Sequence, residues 1–217
     1  MKDDRQLEAD VAAELEYDPQ VNAEAIDVSV RNGVAALQGV VGTYSERRAA
    51  EAAALRVAGL RGLVTMVDVK LQPVHRRSDA EIAAAAEDLL RWHSLVPEDK
   101  VHAEVEDGWV TLEGEVDYEY QRVSAEQCLR HLVGVRHLDN KITLRPRADA
   151  GDIGAKISAA LARHARREAD RIAVDAQGGT ITLRGRVGSL AERDAVIGTA
   201  YGAQGVTEVV SELEVAG

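Results

Sequence analysis

A short glycine pattern that occurs three times constrains this sequence more than any other feature. Its copies run from Asn32 to Val41, from Asp107 to Val116 and from Gly178 to Val187. Each copy begins with an Asn-Gly, Asp-Gly or Gly-Gly pair, which accepts positive φ at both centres of a type I′ turn. Alternating side chains follow, as in a strand with one buried face. Each copy therefore predicts a tight antiparallel hairpin.

The spacing of the copies predicts three small domains. The turn glycines Gly33, Gly108 and Gly179 are separated by 75 and 71 residues (108 − 33 and 179 − 108). A repeat of this period indicates one folding unit copied in tandem, although a chain of this length could otherwise form one or two domains. We place the domains at residues 1–73, 78–146 and 149–217, with polar, proline-containing linkers over 72–78 and 145–151.

Each unit is predicted to fold in the order α-β-β-α-β. In the first unit, Leu7, Val11 and Leu15 recur at four-residue spacing and give an amphipathic helix. Thr43, followed three residues later by Glu46, begins the second helix with a capping box. The same positions return in the other two units. The predicted fold class is α+β, with three tandem units that each contain a three-stranded sheet and two helices on one face.

Nine repeated glycines have predicted structural roles. The first in each unit supplies positive φ in the turn. The second lies on the inward side of a strand, where a missing side chain lets a helix or another backbone come close. The third ends the second helix at the C′ position. In chain order the sets are Gly33, Gly39 and Gly59, then Gly108, Gly114 and Gly134, then Gly179, Gly185 and Gly205.

These units resemble the BON domain (bacterial OsmY and nodulation). The likeness rests on the motif G-x-V-x-L-x-G-x-V, on a helix that contains Glu-Arg, and on Gly-Val before the last strand. The motif is cleanest from Gly108 to Val116 and from Gly179 to Val187, whereas the first unit has Ala35 in place of the first valine. The resemblance covers nearly the whole chain, three times.

The resemblance implies a non-enzymatic binding module. Members of the family are linked to attachment to phospholipid membranes and to osmotic or envelope stress, and some act as periplasmic chaperones. The best-known members are exported and have two copies. This chain has three copies, and its first residues show no export signal.

Composition and charge limit the expected partners and location. The formal net charge of −11 opposes nucleic-acid binding, which needs a basic face. The single cysteine, Cys128, gives no disulfide framework. The N-terminus shows no apolar leader, and no run approaches the roughly 18 apolar residues of a membrane span. We therefore expect a cytoplasmic protein, or one peripheral to the membrane, with no transmembrane segment and no nucleic-acid partner.

The sequence predicts no catalytic residue, no cofactor and no metal. It contains neither G-x-G-x-x-G nor G-x-x-x-x-G-K-[ST], the two glycine motifs that bind nucleotide phosphates. The six histidines show no paired ligand spacing. Cys128 corresponds to Ala53 and Thr199 of the other units, which indicates a small core residue.

Two tryptophans are candidate contact residues. Trp92 lies at the end of the first helix of the second unit, where the first unit has Tyr17. Trp109 lies on the outward side of a strand, where the other units have Val34 and Thr180. Exposed aromatic side chains mark contact sites, but the same residues would also suit contacts between the units of this chain. Of these two interpretations, we expect the contacts between units.

The third unit contains one local basic cluster in an otherwise acidic chain. The cluster could meet lipid phosphates at about 1 kcal/mol per cation near an anionic surface. It could equally pair with the acidic second unit, whose Glu113 and Glu115 occupy the matching strand positions. Its members are Arg163, His164, Arg166, Arg167, Arg171, Arg184 and Arg186.

The leading hypothesis is a binding protein that associates with phospholipid or membrane surfaces, in osmotic or envelope stress. The basic cluster, Trp92 and Trp109 are its candidate contact residues. The alternative is a protein-interaction scaffold or a holdase chaperone, which the acidic charge and the exposed aromatic residues favour. An open basic face on the third unit would favour lipid, whereas a face buried against the second unit would favour a structural role.

Overall fold

The computed structural model describes residues 2–145, 153–164 and 172–215, with the backbone alone for 162–164. The first unit contains helices α1 (Asp4–Tyr17) and α2 (Tyr44–Leu55) and strands β1 (Ile26–Arg31), β2 (Val34–Val41) and β3 (Gly62–Val69). A short 3-10 turn, Pro73–His75, lies in the linker that leads to the second unit.

The other two units repeat this order, which confirms the α+β class and the tandem repeat. The second contains α3 (Asp79–Trp92), β4 (Val101–Glu106), β5 (Trp109–Val116), α4 (Glu119–Leu129), β6 (His137–Asn140) and β7 (Thr143–Leu144). The third contains α5 (Ile153–His164), β8 (Ala173–Gln177), β9 (Thr180–Val187), α6 (Leu190–Tyr201) and β10 (Glu208–Val215). Most of the second linker, and Arg166, Arg167 and Arg171 of the basic cluster, lie outside the described residues.

The second strand of each unit is the centre of its sheet. β1 pairs with β2 in antiparallel orientation, and β3 pairs with the other side of β2 in parallel. The other two sheets have the same arrangement. A parallel pair needs a crossover connection, which the second helix provides. The hairpins are confirmed, whereas the strand order is a new finding.

The last strand of the second unit is split in two. β6 and β7 both run parallel to β5. At the interruption, the Asn140 side chain accepts a hydrogen bond from the Ile142 amide (3.2 Å) and donates one to the Arg122 carbonyl (3.1 Å). The Lys141 amide returns to the sheet by donating to the Leu112 carbonyl (2.8 Å). The Asn140 side chain thus satisfies the Ile142 amide where the strand pairing is interrupted.

The hairpin turns have the predicted backbone. All six central residues have positive φ, as a type I′ turn requires. The values are 52° at Asn32 and 77° at Gly33, 51° at Asp107 and 75° at Gly108, and 63° at Gly178 and 131° at Gly179.

In the first two units the glycine of the central strand lets another backbone come close, as predicted. A Cβ atom on Gly39 would collide with the carbonyl oxygen of Ala25, and one on Gly114 would collide with that of Lys100. Gly39, Gly114 and Gly185 have φ of 154°, 146° and 148°. Sterics and backbone conformation therefore both require glycine here.

The glycine that follows each second helix lies further along the chain than predicted. Arg56 caps α2 in the helical conformation, so the C′ position belongs to Val57. Gly59 follows two residues later, with φ of 97°, and the equivalent Gly134 and Gly205 have 101° and 94°. The C′ prediction is wrong because the chain makes a further turn before it reverses.

The second helices begin with the predicted cap in a modified form. The Thr43 hydroxyl accepts a hydrogen bond from the Glu46 amide (3.1 Å). The Glu46 carboxylate reaches the amide of Gly42 (2.9 Å) instead of that of Thr43, and it also accepts from the Asn22 amide (3.1 Å). Because Asn22 precedes β1, one side chain fixes both the helix start and the loop. Ser189 and Glu192 repeat the cap in the third unit.

Each unit has its own core between the helices and the inner face of the sheet. In the first unit, Ala35 and Leu37 of β2 are completely buried, as their alternation predicts. Ala50, Ala53 and Ala54 of α2 are buried against them. Alanine at three inward positions lets the helix approach the sheet closely, so a core without phenylalanine is well packed.

The first unit contacts the second through the start of α2. Tyr44 is 6% exposed and belongs to the core cluster of the second unit. Its ring lies edge-on to His137, with 6.5 Å between the ring centres. The Ser45 hydroxyl donates to the Arg130 carbonyl at the end of α4 (2.9 Å). The start of one second helix thus packs against the end of the next.

The contacts continue around the other two units and return to the first. The guanidinium of Arg122 in α4 lies 5.0 Å from the ring centre of Tyr201, the last residue of α6. Leu190, the first residue of α6, is completely buried in the core cluster of the first unit. The start of each second helix therefore packs against another unit, in a cyclic order.

Candidate contact sites

The basic residues on the third sheet are paired within that sheet. Arg184 and Arg186 of β9 lie beside Glu212 and Glu214 of β10 in the parallel register. Their nitrogen-to-oxygen distances are 2.6 Å and 3.6 Å. The hydrogen bond to Glu212 raises the pKa of Arg184, and the hydrogen bond from Arg184 lowers the pKa of Glu212. These pairs neutralise much of the positive charge on that face.

The same pairing occurs on the second sheet. Arg145, just after β7, contacts Glu115 of β5 at 2.7 Å and Asp117 at 3.7 Å. Among the described residues, the ion pairs of these strands thus lie within their own units, and none joins the second unit to the third. Of the remaining cluster, Arg163 lies on α5 without a described side chain, and Arg166, Arg167 and Arg171 lie outside the described residues.

Trp92 is one of the most exposed apolar side chains that the structure describes, at 84%. It ends α3, whose Leu90 is buried in the core. Leu89 and Leu95 on either side are 39% and 49% exposed. We call Leu89, Trp92 and Leu95 the Trp92 edge. Trp92 is therefore not buried in a contact between the units of this chain.

The equivalent place in the first unit has a different character. Tyr17 ends α1 and is 83% exposed. Its neighbours along the chain, Glu16 and Asp18, are acidic, and Asp18 pairs with Arg56 at 3.2 Å. At the positions of Leu89 and Leu95 the first unit has Glu14 and Gln20, so Tyr17 lacks the leucines of the Trp92 edge.

Trp109 lies on the outer face of β5 beside the first unit. It is 55% exposed, and its ring lies 4.3 Å from the ring of His137, measured between centres. A groove of about 430 Å³ runs past both rings, and the first unit contributes Val40, Arg47 and Lys70 to its wall. Trp109 is thus partly a contact between units and partly open.

Burial lowers the pKa of His137, and the charge of Arg47 across the interface lowers it further, whereas Asp139 and Glu51 oppose the change. The neutral imidazole is therefore favoured between the first two units. Neighbouring Tyr44 shows the same desolvation, which raises the pKa of its phenol.

Two aspartates that the sequence interpretation missed hold the hairpin turns. The Asp4 carboxylate accepts from the amides of Asn32 (2.8 Å) and Gly33 (2.9 Å). The Asp79 carboxylate does the same for the second turn, at 2.8 Å and 2.9 Å. Both aspartates begin the first helix of a unit, at the same offset of 75 residues as the turn glycines. This shared offset could have identified both aspartates from the sequence.

The described residues offer little for catalysis. No group of three or more His, Cys, Asp or Glu side chains among them could hold a metal ion. Burial raises the pKa of the Cys128 thiol to about 11, and the thiol donates to the Ala125 carbonyl (3.2 Å). Such a thiol is almost entirely protonated at neutral pH and is a poor nucleophile.

The chain belongs to the BON domain family. The family model matches residues 3–70, 78–146 and 149–217. Three copies of one α-β-β-α-β unit, each with the second strand at the centre, are therefore three BON domains in tandem. The family is associated with phospholipid and membrane binding and with stress proteins, and its members are generally non-enzymatic.

Two solved structures that the chain resembles are distant in sequence and in arrangement. One is the C-terminal domain of CdsD, a structural protein of the type III secretion system of Chlamydia trachomatis, with 16% identity, full coverage of both chains and a TM-score of 0.27. A second CdsD structure from the same organism has 15% identity over 96% of this chain and 91% of that chain, with a TM-score of 0.26. These scores are too low to indicate a shared overall arrangement.

No curated protein matches the chain. Within the described ranges, the structure contains no helix that combines the length and the apolar character needed to cross a bilayer.

Proposed function

We propose that this chain binds phospholipid surfaces peripherally and that the Trp92 edge enters the bilayer interface. The observation that supports this function is the 84% exposure of Trp92 between two half-exposed leucines. Tryptophan favours the membrane–water interface, because its large ring is apolar and its N–H group can still reach a polar partner. Membership of the BON family supports the same function and a role in osmotic or envelope stress.

The expected binding is weak and reversible. Burying about 200 Å² of a tryptophan at about 25 cal/mol per Å² yields roughly 5 kcal/mol before association costs. Those costs consume several kcal/mol, so one edge gives a peripheral contact and not an anchor. The positive charge near the edge is limited, because Arg91 already contacts Asp88 at 3.1 Å. We therefore expect apolar insertion to dominate and added salt to weaken binding little.

The test uses Trp92 as its own reporter. Trp109→Phe leaves Trp92 as the single tryptophan of the chain. Its emission should shift to the blue when vesicles of phosphatidylcholine with phosphatidylglycerol are added, and the protein should sediment with them. In the native background, Trp92→Ala should weaken sedimentation at least tenfold, which corresponds to ~1.4 kcal/mol or more.

Tyr17→Ala is the matched control, because Tyr17 has nearly the same exposure at the equivalent helix end. It should leave vesicle binding unchanged. If the Trp92 emission does not move, and the protein fails to sediment with anionic vesicles at low salt, the proposed function is wrong.

A second candidate function is protein binding, either as a scaffold or as a holdase. The outer face of the first sheet favours it, because this face presents four exposed large apolar side chains, whereas the described parts of the second and third sheets present one each, Trp109 and Val210. Its exposed members are Val34 (38%), Val40 (50%), Val64 (47%) and Met66 (52%). Exposed apolar patches of this kind mark protein contacts.

The second function predicts that the chain slows aggregation of an unfolded client protein. Met66→Glu should remove that activity, because it places a charge in the centre of the apolar face. Equal protection by the native chain and the variant would rule out this face, and no protection by either would rule out the holdase function.

A further inference from the structure

A cationic groove lies where the first unit meets the second. It has a volume of about 430 Å³ and lies between the end of β3, the linker and the β4–β5 turn. We call it the linker groove. Its charged lining residues are Lys70, Arg76, Arg77, Asp79, Asp107 and Arg136. Four cations face two acids, in a chain whose net charge is −11.

Within the described part of the chain the four cations are not held in salt bridges, although the charge of Arg77 adds to the Ser78 hydrogen bonds that lower the pKa of Glu81. Among the residues that the structure describes, Lys70, Arg76, Arg77 and Arg136 form no ion pair, and all four are exposed. The arginines on the sheets behave differently: Arg145, Arg184 and Arg186 each contact a carboxylate. Like charges gathered on one surface repel one another, and a bound anion would relieve this repulsion.

One of the two acids is already engaged. Both oxygens of Asp79 accept backbone N–H groups of the turn, at 2.8 Å and 2.9 Å. The negative charge of Asp79 is therefore directed at the turn amides more than at the neighbouring arginines. Asp107, at the turn itself, is exposed. The groove retains an excess of positive charge after these contacts.

The arginine side chains are held in place by the backbone beneath them. A Cβ atom on Gly108 would lie 3.1 Å from the Cγ and Cδ atoms of Arg136, so the stem of Arg136 lies against this glycine. A Cβ atom on Gly134 would lie 3.0 Å from the Cβ atom of Arg77. The Arg77 guanidinium also donates to the carbonyls of Val74 (3.1 Å) and Arg76 (2.7 Å). Preorganised arginines lose less entropy when they bind a ligand.

We propose that the linker groove binds a phosphate-bearing anion. A guanidinium fork matches the geometry of phosphate oxygens, and a cluster of three or four cations fits the multiple charge of a phosphate better than a single carboxylate. Lys70 and Arg136 also line the adjoining groove beside Trp109. The Trp109 ring therefore lies next to the ligand site. This inference is independent of the Trp92 edge.

The first unit supplies a natural comparison. Its equivalent groove, of about 330 Å³, includes Arg61 against Gly33, just as Arg136 lies against Gly108. There Lys2 pairs with Asp10 at 2.6 Å. The turn glycine and the arginine against it are arranged as in the second unit, but the residues that line this groove include no counterpart of the unpaired linker cations.

The experiment uses Trp109 as a reporter and inorganic pyrophosphate as the probe. In a Trp92→Phe background, Trp109 is the only tryptophan, and its emission should change saturably with pyrophosphate at constant ionic strength. Lys70→Ala and Arg136→Gln should each raise the dissociation constant about tenfold. Arg61→Gln, the matched change in the first unit, should leave it unaltered.

Lys70 is exposed on the surface, so its variant tests the groove even if Arg136→Gln disturbs the turn. A non-saturable response, or an equal loss in the Arg61 variant, would overturn the proposal. The source of the phosphate is tested separately, by sedimentation of the same variants with phosphatidylglycerol vesicles in the native tryptophan background. Weaker sedimentation of the Lys70 and Arg136 variants would identify a lipid headgroup, whereas unchanged sedimentation with lost pyrophosphate binding would identify a soluble phosphate.

Discussion

The first and second units share an internal frame and differ on the outside. In both, an aspartate at the start of the first helix holds a turn glycine, and an arginine stem lies on that glycine. On the surface, the first unit has Tyr17 among acids and an apolar sheet face, whereas the second has Trp92 among leucines. Only the second unit has unpaired linker cations beside its turn.

This difference indicates which residues build the unit and which recognise a partner. The repeated positions contact backbone atoms or the core of their own unit, so they are needed to maintain its shape. The positions whose character varies most between these two units, such as Tyr17 and Trp92, face solvent. We therefore expect substitutions at shared positions to cost similar stability in both units, and substitutions at the variable positions to change binding alone.

The largest expected effect is at the central-strand glycines. Gly39→Ala and Gly114→Ala should each cost about 3 kcal/mol or more, because the new Cβ atom would collide with a backbone carbonyl at a positive φ. Hydrogen exchange of peptides from β1–β2 and from β4–β5, measured in urea, should show a similar loss for each unit. A large loss of stability for one of the two variants alone would show that the two glycines are not equivalent.

The turn aspartates come next. Asp4→Ala and Asp79→Ala should each cost about 2 kcal/mol, because two backbone N–H groups lose a charged acceptor. Asn at the same positions should restore part of the loss. Unit-specific hydrogen exchange is again the measurement, and unchanged protection of the turn amides in the alanine variants would contradict the assigned role.

A smaller effect is expected where the two units differ in one core residue. Cys128→Ala should change the free energy of unfolding by about 1 kcal/mol or less, because Ala53 fills the same position of the first unit completely buried. Urea unfolding measures this change. A loss of several kcal/mol would show that the two cores are packed differently at this helix.

The smallest effect concerns His137 at the interface between the two units. Its pKa is lowered in the folded protein, so the unfolded chain takes up the proton first as pH falls below about 6.5. The stability present above that pH is lost as pH falls through the lower folded pKa. Between pH 7 and 5 the native protein should lose about 1 °C more in Tm than His137→Gln, since solvent screens a half-exposed group. An equal loss of Tm in the native protein and in the variant would show that His137 does not cause this pH dependence.

The repeat made the fold predictable from the sequence. The Asn32-Gly33 pair and the alternation of Ala35 and Leu37 depend on local geometry, so they predicted the hairpin and its buried face correctly. Local residues also predicted where the helices begin and end, except that Gly59 lies two residues beyond the C′ position of α2. Local patterns repeated three times reinforce one another.

The sites were less predictable because they depend on contacts between distant residues. Asp79 reaches Gly108 across 29 positions, and Glu212 reaches Arg184 across 28. Charge counting placed a basic cluster on the third unit, but it could not show that parallel strand pairing neutralises Arg184 and Arg186. The linker groove combines residues of two units, so no single repeat contains it.

The most direct test of the account is whether the vesicle contact can be moved from one unit to the other. Vesicle affinity would be measured for Trp92→Ala and for the double variant Tyr17→Trp/Trp92→Ala. Because Tyr17 is flanked by acids and lacks the leucines of the Trp92 edge, the account predicts equally weak binding by both variants. Full recovery of affinity in the double variant would contradict it, since any exposed tryptophan at this helix end would then suffice.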